Sequence, residues 1–324
     1  MQHGDNTQSS DFENKLTNGV IEPVWKRGVE TMNKPDAEII TRNLSCWSGA
    51  IALTRLDGGI SNENFLVTND GRNFVVRVNG DVPVHGVTRL NDYNCNRAAA
   101  AVGVAPAVYH YEPGAIVVEY IQGRTLADND VREDRILGQI VDLIKRTHRD
   151  AFRVARGPIA AFWPFRVCRD YAFFMEENGS GWNREVPRLR QLNDNLEQSI
   201  GATDIVLGHN DLLAANLLDD GDRLWLIDWE HAGFGSPLFD LANLATNNNL
   251  SEAQERNILE LYFEGPPDDE TIRRFGAMKC ASLLREAMWS MVSETQSSLD
   301  FDYAGYTEEY LSRLKLAVEI WESS

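Results

Sequence analysis

"HNDLLAANLL", residues 209 to 218, decides how this chain is read. It follows the apolar run "DIVLG" and places His209, Asn210 and Asp211 at the end of a strand-like segment, with Asn216 five positions after Asp211. Further on, "WLIDWEHAG" ends a second apolar run on Asp228 and Glu230. Carboxylates and amides at the ends of buried strands are costly unless something pairs with them. Asp211 offers an acidic oxygen suited to take a hydroxyl proton. Asn216 and Asp228 offer hard oxygen ligands of the kind Mg²⁺ accepts while keeping waters and phosphates. A base with an Asn and an Asp for magnesium is the set of parts that kinase-type phosphoryl transfer requires. A lone D-x-x-x-x-N match is usually an Asn-Asp turn with incidental carboxylates. H-N-D-x-x-x-x-N followed by I-D-W-E, each after an apolar run, is far more specific.

Composition narrows the classes around that motif. A chain of 324 residues, 43% apolar and 25% charged, has the make-up of an ordinary globular protein with one large or two smaller domains. A net charge of −18 argues against nucleic acid as a partner, which would call for a basic face. The same charge fits a small cationic substrate, although a well-solvated surface is the simpler account and acidity alone identifies no substrate. The four cysteines, Cys46, Cys95, Cys168 and Cys280, lie far apart without a C-x-x-C pair, so neither a disulfide framework nor a zinc site is expected. The N-terminus lacks a secretory signal, and no apolar run reaches the roughly 18 residues of a membrane span. A reduced, soluble, cytoplasmic protein without membrane insertion is the expectation, and homodimerisation is left open.

Residues 1 to 20 are polar and read as a disordered N-terminus. "DAEIITRNL" reads as a short helix capped by Asp36. "IALTRL", "NFLVTN" and "NFVVRVNG" are β-branched runs separated by the turn signals "DGGISNE" and "NDGR", which predicts an antiparallel meander with a tight hairpin. "TRLNDYNCNRAAAAVGV" reads as a helix stopped near Gly103, and two further strands flank Pro113-Gly114. From about residue 124 the pattern is helical, with Ile136, Ile140, Val141 and Ile144 on one face. The expected fold class is α+β and two-lobed: a small antiparallel β-rich lobe over residues 21–119, a hinge at 119–123, and a larger, mainly helical lobe over 120–324. A cleft between two such lobes is a natural small-molecule site.

With these parts in view, "HNDLLAANLL" and "LIDWEHAGFGSPLFDLANLA" resemble the choline/ethanolamine kinase family, within the wider aminoglycoside-phosphotransferase and protein-kinase-like fold. The resemblance runs from about residue 36 to the C-terminus. It implies ATP and Mg²⁺ as cofactors, Asp211 as catalytic base, Asn216 and Asp228 as magnesium ligands, Glu230 as a further acidic group near the metal, and His209 as a structural support of the loop. It also implies that Gly58, Gly59, Ser61 and Asn62 in "GGISNENF" wrap the phosphates, although that turn alone could be a hairpin loop. Arg77 in "FVVRV" alternates with Val76 and Val78 and so faces away from them. The resemblance has it pair with ATP phosphates and with an acid on the next helix, where Asp92 stands in place of the family's usual Glu. Backbone groups of Glu119 and Ile121 would meet the adenine.

The acceptor side is read from the last third of the chain. A small alcohol carrying a permanent cation needs aromatic faces and nearby negative charge. Trp289 falls where choline kinases keep a pocket Trp. Three positions earlier, where animal choline kinases carry a second Trp, stands Glu286, one helical turn away on the same face. Phe301, Tyr303 and Tyr306 fall on the segment that completes the aromatic wall, and the same residues could equally pack a core. Trp229 could wall the pocket or pack the lobe, and His148 reads as structural. Asp240 either ties the catalytic loop to the helical lobe, together with Asn243, or caps its helix. The resulting expectation is an ATP-dependent kinase of choline or a related amino alcohol such as ethanolamine. The rivals are a kinase of thiamine or an aminoglycoside, and a catalytically inactive ATP or ligand sensor.

Overall fold

In the computed structural model, whose described residues are 36–56, 63–297 and 301–323, the β-branched runs form one antiparallel sheet. Its strands are β1 (Ala52–Leu56), β2 (Glu63–Asn69), β3 (Arg72–Val78), β4 (Val108–Glu112) and β5 (Ala115–Glu119), in spatial order β1-β2-β3-β5-β4. The expected hairpin joins β2 to β3, with Asn69 opposite Arg72. Its two central residues, Asp70 and Gly71, take φ of 48° and 74°, the left-handed pair that a two-residue turn matched to strand twist demands. Ser61, Asn62 and the disordered terminus expected over residues 1–20 lie outside the described residues.

Strand periodicity then fixes where Arg77 goes. Phe74, Val76 and Val78 are buried on one face of β3, with Phe65, Val67, Ala115 and Val117 from its neighbours and with α1 (Ala37–Arg42) over them. Asp36 caps α1 by accepting the Glu38 N–H at 2.9 Å. Arg77 alternates to the other face, the side of α2 (Arg89–Ala101) and the large lobe. Thr88 caps α2 through the Asn91 N–H, and the helix ends before Gly103, whose φ is 69°.

Beyond the hinge the chain is mainly helical: α3 (Asp134–Arg146), α4 (Pro164–Asn178), α5 (Val186–Ile200), α6 (Pro237–Asn247), α7 (Glu252–Phe263), α8 (Asp269–Gln296) and α9 (Tyr303–Glu322). α8 is the spine, packed against α4, α5, α6 and α9. Short strands β6 (Arg124–Thr125), β7 (Val206–Gly208), β8 (Leu217–Asp219), β9 (Leu224–Leu226) and β10 (Gly233–Gly235) pair as β6-β8-β9 and as β7-β10, and carry the loops of interest. One π-helical turn, Thr147–Ala151, follows α3 and swings His148 inward. The four cysteines are unpaired, and no helix among the described residues is long and apolar enough to cross a membrane.

The predicted face of α3 is a core face. Ile136, Ile140, Val141 and Ile144 are all buried, and Ile140 is fully so. Truncating Ile140→Ala should cost about 3 kcal/mol, the transfer term of the lost methyl groups plus the cavity left behind. Urea unfolding measures it. A loss under about 1 kcal/mol would mean that the neighbouring helices close the cavity.

Candidate active site

β7 delivers the opening motif, and its backbone is held from below by α6. Asp240 accepts the N–H groups of His209 (2.8 Å) and Asn210 (2.6 Å). Asn243 accepts the Leu212 N–H at 2.6 Å, and Asn248 donates to the Leu212 carbonyl at 2.9 Å. Asp240 therefore ties the loop to the helical lobe. The capping alternative falls away, because Ser236 occupies the N-cap position and Asp240 lies inside the first turn. His148 donates from Nε2 to Asp240 at 2.8 Å, and its Nδ1 meets the Tyr262 hydroxyl at 2.8 Å. These bonds hold the Asp240 carboxyl below its usual range although burial alone would raise it. A side chain at Gly208 would come within 2.9 Å of the Asn210 amide oxygen and 3.3 Å of Asp240, so this crossing needs glycine.

His209 is structural, as expected. Its Nε2 donates to the Ile227 carbonyl at 3.0 Å, and its Nδ1 receives the Asp211 N–H at 3.3 Å. Burial keeps the ring neutral by lowering its pKa. Trp229 is fully buried edge-on to His209, with its N–H given to the Leu226 carbonyl, and so packs the lobe.

Asp211 and Asn216 meet directly. The Asn216 amide nitrogen donates to the Asp211 carbonyl at 2.9 Å and to its Oδ2 at 3.1 Å, which turns Asn216 Oδ1 outward as an acceptor. Burial pushes the Asp211 carboxyl up to about 7 against the pull of Arg285, whose Nη1 lies 3.9 Å from Oδ1. Glu286, Asp228 and Glu230 raise it further. A carboxylate held near neutrality is what a general base requires.

Opposite Asp211 lies a cluster of charges at the joint of the lobes. Arg77 bonds Asp228 Oδ1 through Nη2 and lies 3.5 Å from Asp92 and 3.9 Å from Glu230. The Asp92 ion pair thus forms, but the short side chain leaves it longer than a direct hydrogen bond. Arg89 completes the cluster, 3.3 Å from Asp92 and 2.9 Å from Glu230. Glu230 therefore sits one ion pair back from Asp228. Burial pushes Asp92 up to about 6 and raises Asp228 as well, while the three carboxylates outweigh burial at Arg77 and keep it firmly charged.

Counting Asp211 and Glu286 with Asp92, Asp228 and Glu230, five carboxylates face the guanidiniums of Arg77, Arg89 and Arg285. The excess of negative charge is what a divalent cation would neutralise. Asn216 Oδ1 and Asp228 are the oxygens suited to hold it, with phosphates and waters for the rest. Among the described residues there is no group of three or more His, Cys, Asp or Glu able to enclose a metal, which is compatible with such a two-ligand site. At the hinge, the Glu119 N–H is already given to the Ala107 carbonyl at 2.8 Å, leaving the Glu119 carbonyl, with the backbone of Ile121, for a base.

The acceptor-side residues also converge. Glu286, buried on α8, bonds Arg285 through Oε1 and receives the Tyr306 hydroxyl on Oε2 at 3.3 Å. Ring centroids of Tyr306 and Tyr303 lie 5.9 Å and 6.1 Å from Trp289, and Phe301 stands exposed at the rim, 5.6 Å from Tyr306. Sequence reading missed Arg89, Arg285 and His85. Arg89 carries a usable signal, an acid three residues on along a helix. Arg285 forms with Glu286 a charged pair inside the otherwise apolar stretch "ASLLREAMW" of α8, which is the mark of buried, paired charges. His85 has no periodicity to find it by.

Because the Asp211 pKa in the folded protein lies above the ordinary carboxylate value near 4, the folded state takes up its proton first, and stability falls as pH rises from about 4 through about 7. Asp211→Asn escapes this. Without magnesium it should exceed wild type in stability at pH 8 by about 2 kcal/mol, with the gain shrinking towards pH 5. Urea melts at both pH values test it, and equal or larger stabilisation at pH 5 would refute the environment described.

Residues 53–275 match the model of the choline/ethanolamine kinase family. The chain is 29% identical over 282 residues to protein LicA of Haemophilus influenzae, covering 82% of this chain and 78% of that protein. To ethanolamine kinase 2 of Mus musculus it is 26% identical over 282 residues, covering 78% and 72%. The solved choline kinase LicA from Streptococcus pneumoniae superposes with a TM-score of 0.70 at 22% identity, over 86% of this chain and 98% of that one. A structure of LicA in complex with AMP does so at 0.69 and 22%, over 87% and 97%. The fold is thus the two-lobed kinase-like one, and the chain belongs to the choline/ethanolamine kinase family.

Proposed function

We propose that this protein transfers the γ-phosphoryl group of ATP to the hydroxyl of choline or a close amino alcohol such as ethanolamine. The observation that carries this reading is the junction of Asp211 with Arg285 and Glu286. A carboxyl poised near neutrality stands within one guanidinium of a second carboxylate, which is edged by Tyr306 and, one turn on, by Trp289. A hydroxyl presented to Asp211 puts a cationic tail two or three bonds away, within reach of Glu286 and the aromatic faces.

On this reading each group has a task. Asp211 takes the hydroxyl proton as the new P–O bond forms and the bond to the leaving ADP oxygen breaks. Asn216, locked to Asp211, keeps base and metal side in register. Magnesium, held by Asn216 and Asp228, would neutralise charge on the phosphates. Arg77, delivered by β3 and steadied by Asp92, adds its guanidinium to the phosphate oxygens. Positioning and charge stabilisation supply most of the rate in this chemistry, and proton transfer to a base adds less. The AMP held by a LicA structure supports the use of an adenine nucleotide. A carboxylate such as Glu286 accepts hydrogen bonds from a primary ammonium, whereas an aromatic face serves a quaternary one.

ADP release with ATP and Mg²⁺ should be seen with choline or ethanolamine and not with thiamine or an aminoglycoside. Asp211→Asn should lower kcat by roughly 10²–10⁴ with the KM for ATP little changed. Turnover with thiamine or an aminoglycoside alone would keep the phosphotransferase and discard the pocket. ATP binding without turnover of any of the four would favour a sensor. Glu286→Gln should raise the acceptor KM about tenfold, more for ethanolamine than for choline. An unchanged KM would remove Glu286 from the pocket.

A further inference from the structure

His85 belongs to the small lobe by sequence, yet its ring lies among residues of the large one. It ends a single 3-10 turn, Pro83–His85, in the loop between β3 and α2. Its Nδ1 meets the Tyr171 hydroxyl on α4 at 3.0 Å, and its Nε2 meets the Ser293 hydroxyl on α8 at 3.4 Å. The ring stands 6.0 Å from Trp289, tilted by 38°, and edge-on to Tyr171 at 5.6 Å. The residue is partly buried there, with its ring beside Trp289.

The loop carrying His85 is built to hold it there. Val82 and Val87 exchange both backbone hydrogen bonds, at 2.9 and 3.2 Å, closing the loop on itself. Gly86 takes φ of 69° to turn the chain after His85. Arg89 fastens the base of the loop, donating from Nε to the Gly80 carbonyl at 3.0 Å and from its backbone N–H to Asp81 at 2.8 Å. The same Arg89 guanidinium holds Glu230 and Asp92, the partners of Arg77. A short, rigid path thus runs from the phosphate-side charges through Arg89 and the loop to the ring beside Trp289.

We propose that His85 is a wall of the acceptor pocket supplied by the nucleotide-side lobe, so that the pocket is complete only when the two lobes are set for phosphoryl transfer. This rests on the acceptor site proposed above and goes beyond it, because it makes acceptor affinity depend on the small lobe. A neutral ring suits the role, since a charged one would repel an ammonium. Burial, helped by Arg285, holds His85 down at about 4. Thermodynamic coupling follows: nucleotide that fixes the small lobe tightens acceptor binding, and acceptor tightens nucleotide by the same factor.

The test compares wild type, His85→Ala and His85→Asn, the last retaining a polar group that can reach Tyr171. Initial rates give the KM for choline, ethanolamine and ATP. Calorimetry gives the acceptor Kd with and without ADP and Mg²⁺. In wild type ADP should tighten acceptor binding about fivefold or more. His85→Ala should bring that ratio close to one and raise the acceptor KM about tenfold, with the Kd for ADP measured without acceptor within about twofold and His85→Asn in between. An unchanged acceptor KM in His85→Ala, or acceptor KM and acceptor-free ADP Kd rising together with a fall in Tm, overturns the proposal and leaves a mere interlobe staple. Wild type without turnover of either amino alcohol overturns the function reading and this inference with it. Active wild type with an indifferent His85→Ala overturns this inference alone.

Discussion

The site hangs on one buried carboxylate that makes no contact with any reacting group in the scheme above. Asp240 takes the N–H groups of His209 and Asn210 and is itself held by His148, so four hydrogen-bonding groups lock the turn at the end of β7. Asn210 has φ of 64°, a left-handed backbone that costs free energy in a non-glycine residue and persists only where its surroundings hold it. Its side-chain amide adds a bond to the His231 carbonyl at 3.1 Å, fixing the turn from the opposite strand segment. Once that turn is fixed, the Asp211 carboxylate has few directions left, and Asn216 follows because it is bonded to Asp211 twice. The π-helical turn that carries His148 interrupts regular helix geometry to deliver this support.

Much of this was legible in the sequence, for unequal reasons. Asp211, Asn216 and Asp228 could be read because the chain announces them twice, each time at the end of an apolar run with turn residues behind it. The face of Arg77 was legible because strand periodicity leaves one choice, and the Asp70-Gly71 turn because only a left-handed pair closes such a hairpin. The proposed acceptor pocket was harder. Trp289, Tyr303 and Tyr306 look in sequence like any amphipathic packing. What brings them together is the antiparallel fold-back of α9 on α8, a long-range contact that no local pattern encodes. Asp240 could be placed on its helix, but only the backbone hydrogen bonds show that it serves the loop and not its own N-terminus.

The residues missed altogether share a cause. Arg89, Arg285 and His85 matter through partners more than 70 positions away: Glu230, Asp211 and Ser293. Sequence shows a local charge pair for the two arginines and a lone ring for His85, and only the tertiary structure shows the distant partner each meets. Burying these groups works against stability. Asp92, Asp211 and Asp228 all have carboxyls raised by burial, so the folded state carries a charge arrangement that it would shed if stability alone were selected. The compensation is partial: three guanidiniums do not cancel five carboxylates, and the remainder is available to a cationic ligand or metal.

That remainder is one negative charge in each half of the cleft, two guanidiniums among three carboxylates in one and a single guanidinium between two carboxylates in the other. On the side proposed for the phosphates, Arg77 is bonded to Asp228 and Arg89 to Glu230, with Asp92 between the two guanidiniums. On the side proposed for the acceptor, Arg285 is the guanidinium among the described residues that faces Asp211 and Glu286. It lies against Glu286, and at 3.9 Å from Asp211 it lends the base less than a direct hydrogen bond. Glu286 thereby keeps Arg285 from pulling the Asp211 carboxyl down into the range where it would be a feeble base. A second aromatic ring in place of Glu286 could not do this, and an arginine beside it would then turn to Asp211 as its sole partner. Arg285 and Glu286 are therefore one unit, in which the acid proposed to meet the acceptor's cation also keeps raised the carboxyl of Asp211, the proposed base.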